Sequence, residues 1–250
     1  KHLGQRFIVI SDYKLPITTT SERILVAIEV RDAKAMAAGI KKLFDGDPTM
    51  NPREFEGLVI WETVEEEEFK APKPPSISIP QFGTKKKKRR SRPRATEDAE
   101  GPQALEHSAI TVAHGQLMIG SHYDFLIDVL KQAKTPDPLR ESMDFKVVTA
   151  AMNKLGAGAG CLRTFSRTDE AYRPNYEMIR QGKMPESETL LGRMLNAFMS
   201  PKKRGTIRKS RIDGKDLPDF QVVRRYLGPA GDYIISEQDG WFAVGFMLKK

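Results

Sequence analysis

The chain has 250 residues, 41 Lys plus Arg against 33 Asp plus Glu, a single Cys and a formal net charge of +8. A hydrophobic content of 39% with 19 Gly fits a globular protein and excludes collagen-like, coiled-coil and wholly disordered chains. No stretch approaches the roughly 20 apolar residues of a membrane span, and one Cys excludes an intrachain disulfide or a Cys-based zinc site.

The charge is concentrated. Lys85–Arg94 reads KKKKRRSRPR and accounts for the whole positive excess, so the remainder of the chain is neutral. The chain begins at Lys1 without Met and without a basic-then-apolar leader, as a processed chain or excised fragment would, and an upstream anchor or targeting signal is compatible with this start.

In chain order, Arg6–Ile10 and Arg23–Val30 are short runs rich in β-branched residues and predict strands. Asp32 supplies an N-cap oxygen for a helix to about Asp45, with Met36, Ile40, Leu43 and Phe44 forming one apolar stripe. Asp45-Gly46-Asp47-Pro48 stops it, and Phe55–Thr63 returns as a strand. From Glu65 to Glu106 the pattern is lost. Acidic, proline-rich and basic blocks follow one another, and such a composition cannot bury enough surface to offset its ordering entropy. This stretch predicts a disordered charged insertion between an N-terminal part, 1–64, and a C-terminal part, 107–250.

Ala109–Ala113 and Gln116–Gly120 flank His114-Gly115 and predict a two-residue hairpin. Ser121 with Asp124 resembles a capping box for a helix carrying Leu126, Ile127 and Leu130. Thr135–Pro138 breaks that helix from a second one near Asp144, with Phe145, Val148, Met152 and Leu155 on one face. Gly156–Gly160 leads to a strand over Cys161–Ser166, then to a polar helical segment interrupted by Pro174. Pro185–Met199 reads as a helix and Asp219–Leu227 as a last one. The chain closes with Tyr233–Ser236, a turn, and Trp241–Leu248, whose two apolar registers predict a strand buried on both faces. The fold class expected is α+β: a mainly antiparallel mixed sheet with helices packed on one face, interrupted by the charged insertion. The N-terminal strands are expected to join the Ala109–Gly120 hairpin in one continuous sheet.

Five groups of residues are candidates for chemistry. GAGAG at 156–160 lacks the Lys-Ser/Thr of a P-loop and the strand-to-helix setting of a dinucleotide loop, so a turn of small residues is the better reading. His107, His114 and His122 have no i, i+4 spacing and read as surface histidines; no metal is expected. Cys161 has no His placed beside it in the sequence and reads as a small hydrophobe rather than a nucleophile. Arg163, Arg167, Asp169, Glu170, Arg173, Glu177 and Arg180 form a charged belt that could clamp an anion; the acids within it favour an ion-pair lattice instead. Lys85, Lys86, Lys87, Lys88, Arg89, Arg90, Arg92 and Arg94 could neutralise phosphates, but without an interleaved aromatic they read first as a solvated spacer.

Several motifs carry a resemblance. FSRTDE at 165–170, RQGKMP at 180–185, ETLLGR at 188–193, YLGPAG at 226–231 and SEQDGWF at 236–242 are similar to the C-terminal portion of planctomycete-type secreted or membrane-anchored bacterial proteins, a domain-of-unknown-function family. The order of a strand ending at Val30, Asp32-Ala33 opening a helix and Phe55-Glu-Gly57 opening a strand is similar too. The resemblance covers most of Ala109–Lys250 and implies an extracytoplasmic α+β domain of the cell envelope, with no catalytic residue to carry over. The function expected is thus a non-catalytic structural or interaction domain without cofactor, of unknown partner. The alternative is a polyanion-binding module that uses residues 85–94 to take nucleic acid or acidic polysaccharide. An enzyme acting on an anionic substrate through unpaired arginines of the belt is the third reading.

Overall fold

A computed structural model describes residues 2–64, 107–133, 138–184 and 214–250. β1 (Leu3–Tyr13) and β2 (Glu22–Val30) pair antiparallel, with Ile10 opposite Leu25 and Val9 opposite Val26. α1 (Ala33–Phe44) follows, capped by Asp32, whose Oδ1 accepts from the Ala35 N–H at 2.9 Å. Of the expected stripe only Ile40 is buried; Leu43 is 71% exposed, because α1 meets the sheet along a narrow line.

The single strand expected over Phe55–Thr63 is instead a hairpin of β3 (Met50–Phe55) and β4 (Leu58–Thr63). Glu56 and Gly57, at φ 49° and 78°, form the turn. Two consecutive left-handed residues match the twist of an antiparallel pair. His114 and Gly115, at φ 50° and 73°, do the same between β5 (Ala109–Ala113) and β6 (Gln116–Gly120), as the sequence predicts.

All six strands form one antiparallel sheet in the order β1-β2-β6-β5-β4-β3. The N-terminal strands and the Ala109–Gly120 hairpin thus share a sheet. β4 and β5 pair at Glu62 and Ala109, and the Thr63 N–H donates to the Ser108 carbonyl at 2.8 Å, so the chain leaves and returns at neighbouring positions. The expected insertion between them lies outside the described residues.

α2 (Tyr123–Gln132) covers one face of this sheet. Phe125, Leu126, Ile127 and Leu130 pack with Leu25, Ala27, Ile60 and Met118 in the principal core. The expected capping box is not formed. His122 is the N-cap and its side chain bonds no N–H of the helix, and Ser121 Oγ instead accepts from the Ile24 N–H at 2.8 Å, tying the helix start to β2. Ile60 and Trp61 are adjacent in β4 and point to opposite faces. Trp61 meets Phe44 of α1 with ring centroids 5.8 Å apart, so α1 lies on the face opposite α2 rather than on the same one.

A second antiparallel sheet, β7-β8-β9, comprises β7 (Leu162–Arg167), β8 (Pro229–Ser236) and β9 (Trp241–Met247). α3 (Met143–Lys154) packs on it through Val148 and Met152 against the buried Tyr233, whose hydroxyl donates to the Leu155 carbonyl. α4 (Thr168–Ala171), α5 (Arg173–Arg180, with Pro174 in its first turn) and α6 (Phe220–Arg224) complete this part. β9 is not buried on both faces: it is an edge strand, and Trp241 is 84% exposed. The α+β class therefore holds, in two antiparallel sheets rather than one. The helix expected at 185–199 lies outside the described residues.

Gly231 lets α3 approach β8. A Cβ there would collide with the Met152 Cε and Val148 Cγ1 atoms, and the glycine is flanked by Phe165 and Phe246 on the neighbouring strands. Gly245 offers ordinary space, 3.7 Å from Asp232 Cβ. Urea denaturation is expected to show Gly231→Ala destabilised by about 1–3 kcal/mol, with Gly245→Ala neutral or slightly stabilised. Equal effects would contradict the close packing of α3 on β8.

Candidate functional site

The charged belt is built where β7 runs into α4 and α5 and where α6 returns beside them. Asp169 Oδ2 lies 2.6 Å from Lys250 Nζ and 3.4 Å from Arg224 Nε. Glu170 takes the other side of Arg224 at 2.7 Å and stands 3.9 Å from Arg173. Arg180 lies between Glu177 at 3.7 Å and Asp219 at 3.3 Å, and Arg167 reaches Asp144 of α3 at 3.4 Å. Arg163 stands apart: its Nη2 donates to the carbonyls of Ala157 and Gly158 at 3.0 and 3.1 Å. The guanidinium groups of Arg167, Arg173 and Arg180 therefore meet carboxylates, and Arg224, which the sequence reading omits, joins the two acids of α4. Its sequence neighbours gave no signal of that pairing across 54 residues.

Around these pairs opens a cleft of about 510 Å³, lined by Asp144, Val147, Arg167, Asp169, Leu227 and Pro229 among others. The buried Thr168 hydroxyl donates to the Gly228 carbonyl at 2.6 Å and fixes α4 to the start of β8 beside it. Burial by itself would raise the Asp169 carboxyl, but the hydrogen bonds and charges of Lys250 and Arg224 outweigh it and hold the group below its usual range.

The other candidates stay separate. In the 156–160 loop, the carbonyls of Ala157 and Gly158 face Arg163, and Cys161 Sγ is 2.9 Å from the Gly158 oxygen and 3.4 Å from Arg163 Nε. His114 occupies the β5–β6 turn, and His107 lies 3.5 Å from Glu62, which also holds Arg53 at 2.7 Å. His122 Nδ1 pairs with Ser121 Oγ at 2.8 Å, and burial pushes its pKa down against the opposing pull of Asp124. Among the described residues no group of three or more His, Cys, Asp or Glu could hold a metal, and no helix is long and apolar enough to cross a membrane. Lys85, Lys86, Lys87, Lys88, Arg89, Arg90, Arg92 and Arg94 lie outside the described residues.

Among the described residues, one exposed apolar feature is a sheet edge. Among these residues β1 pairs with β2 alone, and Phe7, Ile8, Val9 and Ile10 are 57%, 49%, 56% and 37% exposed. Phe7 and Val9 extend the rows of Ile28 with Leu117 and of Val26 with Ile119 on the α1 face, while Ile8 and Ile10 lie on the α2 face. Edge strands are ordinarily guarded by proline, charge or a bulge. β3, at the opposite edge, carries Pro52, Arg53 and Glu54, the usual protection. Phe7–Ile10 at the centre of β1 carry none, and the bulge of that strand lies before them, between Leu3 and Phe7. The sequence marks Arg6–Ile10 as a strand and carries no mark of an edge.

Comparison of the chain with protein-family models, with curated proteins and with solved structures found no match.

Asp169 gives the belt a pH signature. Its folded-state pKa is depressed, so the unfolded chain takes up the proton first, and the stabilisation is present above the unfolded value of about 3.9 and lost as pH falls through the lower folded value. Asp169→Asn is expected to cost ~1 kcal/mol near neutral pH. That gap should close below pH ~4 in acid urea titrations. A gap that persists undiminished into strong acid would contradict the pairing.

Proposed function

We propose that this chain is a non-catalytic interaction domain of a larger bacterial envelope protein, docking through the open edge of its six-stranded sheet. The observation that carries the reading is β1, an eleven-residue edge strand with four consecutive exposed apolar residues at its centre. Such an edge offers a row of backbone donors and acceptors to an added strand, with side chains on both faces to select it. The belt supports the reading, because its carboxylates already occupy the guanidinium groups an anionic substrate would need. The extracytoplasmic placement rests on the resemblance of the 165–170, 226–231 and 236–242 motifs.

A second reading is favoured by the charge itself. Lys85–Arg94 carries eight cations without an acid, in the stretch of sequence between the paired strands β4 and β5. In this reading the stretch takes a polyanion, and its affinity for heparin or duplex DNA falls steeply with salt. Deleting 85–94 abolishes that binding if the reading holds and leaves it unchanged if it does not.

The docking reading is tested in the native cell with a photo-crosslinking amino acid in place of Val9, and in a separate variant in place of Arg53 on the guarded edge. Adducts in the envelope fraction from position 9 and not from position 53 are expected. Adducts from neither position, or a chain confined to the cytosol, would overturn it.

A further inference from the structure

The open edge matches a second copy of itself. β1 can pair antiparallel with β1 of another chain about a twofold axis normal to the sheet, which places residues of like face opposite each other. Centred on Val9, this pairing sets Val9 against Val9 of the second copy and Ile8 against Ile10. It also brings Arg6, in the bulged stretch that directly precedes the regular run Phe7–Tyr13, level with Asp12, twice by symmetry. Shifting the centre to Ile8 puts Arg6 against Ile10, and shifting it to Ile10 puts Asp12 against Ile8, so each shifted register buries a charge beside an apolar group. Charge and hydrophobicity therefore select one register among those the twofold allows.

Both charged residues are available for a second partner. The Arg6 side chain is 86% exposed and only 3.7 Å from Glu29. Asp12 is 50% exposed and held at 2.6 Å by Arg23, which is itself anchored on Asp128 and over the Phe125 ring. Arg23 thus fixes the Asp12 carboxylate at the edge with one side open. The contrast with β3 bears on the choice of partner: Pro52 removes a ladder donor at that edge, so the sheet can be extended by this route at β1 alone.

We propose that two copies of this chain associate through β1, in the register centred on Val9, to form a continuous twelve-stranded antiparallel sheet, with Arg6 of each copy paired to Asp12 of the other. This rests on the docking reading and specifies its partner. Ile8 and Ile10 of both copies form one apolar strip on the α2 face, and Val9 and Phe7 extend the rows of β2 and β6 across the junction.

Sedimentation velocity on the purified full chain, with far-UV circular dichroism to confirm the fold of each variant, is the test. The chain is expected to be dimeric and Val9→Lys monomeric. Arg6→Glu and Asp12→Lys should each weaken the dimer by about tenfold, two like-charge cross-strand pairs replacing two attractive ones. An equimolar mixture of those two variants should recover it as a heterodimer, an outcome that loss of folding cannot produce. In a Cys161→Ser background, Val9→Cys is expected to crosslink across the axis. Phe7→Cys should not, since its thiols would lie about four residues, or roughly 13 Å, apart along the strands.

A monomer at every attainable concentration would overturn the proposal, as would a dimer indifferent to Val9→Lys or one crosslinked through position 7 and not 9. A monomeric chain whose position 9 still yields adducts with a different envelope protein would end the homodimer and leave the docking reading standing. A monomer without adducts would end both.

Discussion

The β5–β6 hairpin is the constraint on which the rest of the larger sheet depends. β2 pairs on one side of it and β4 on the other, and neither has a different route into the sheet core. Its turn holds both His114 and Gly115 at positive φ, which twists the two strands into the geometry their neighbours require. Ala109, Ala113 and Met118 of the hairpin then provide the floor on which Leu126 and Leu130 of α2 are buried. With the hairpin at the centre, the N-terminal strands take the outside positions, and β1 and β3 become the edges. Position in the sheet, rather than composition, is what leaves an apolar strand open.

The two ends of the protein handle exposed charge differently from exposed hydrocarbon. Beside the second sheet, ion pairs tie α4, α5 and α6 to one another and to the C-terminal Lys250, and Arg167 of β7 to Asp144 of α3. Surface pairs of this kind stabilise little individually. Their value lies in sharing: Arg224 spans Asp169 and Glu170, and Asp169 spans Arg224 and Lys250. At the edge of the first sheet the opposite holds. Phe7 and Val9 expose more than half of their surface, and the burial they forgo is the free energy available to a partner strand.

Much of this was legible from the residues themselves. His114-Gly115 announces its hairpin, Asp32 caps the helix it precedes, and Pro174 sits in the first turn of a helix, where its missing N–H costs nothing. Local chemistry decides such features, so local sequence reveals them. Features decided by distant neighbours were read less well. Glu56-Gly57 looks like part of a strand until β3 and β4 are seen to pair across it. Ser121 has the spacing of a cap, yet the N–H of Ile24, 97 residues away, claims its oxygen. The apolar run at Trp241–Leu248 suggests burial on two faces, and the run at Arg6–Ile10 is marked only as a strand, but both lie in edge strands, because nothing in a strand's own sequence records how many neighbours it has. The belt is visible as a cluster in the sequence, whereas Arg224 and Lys250 join it only through the fold.

If another strand satisfies the outward backbone groups of β1, amide hydrogen exchange resolved to single residues will show it. In a lone edge strand, amides of alternate residues point to β2 and are protected while the others exchange freely. At high protein concentration both sets across Phe7–Asp12 are expected to be slow. On dilution only the outward set should become fast. An outward set that exchanges freely at every concentration, alone and in the presence of envelope extract, would contradict it.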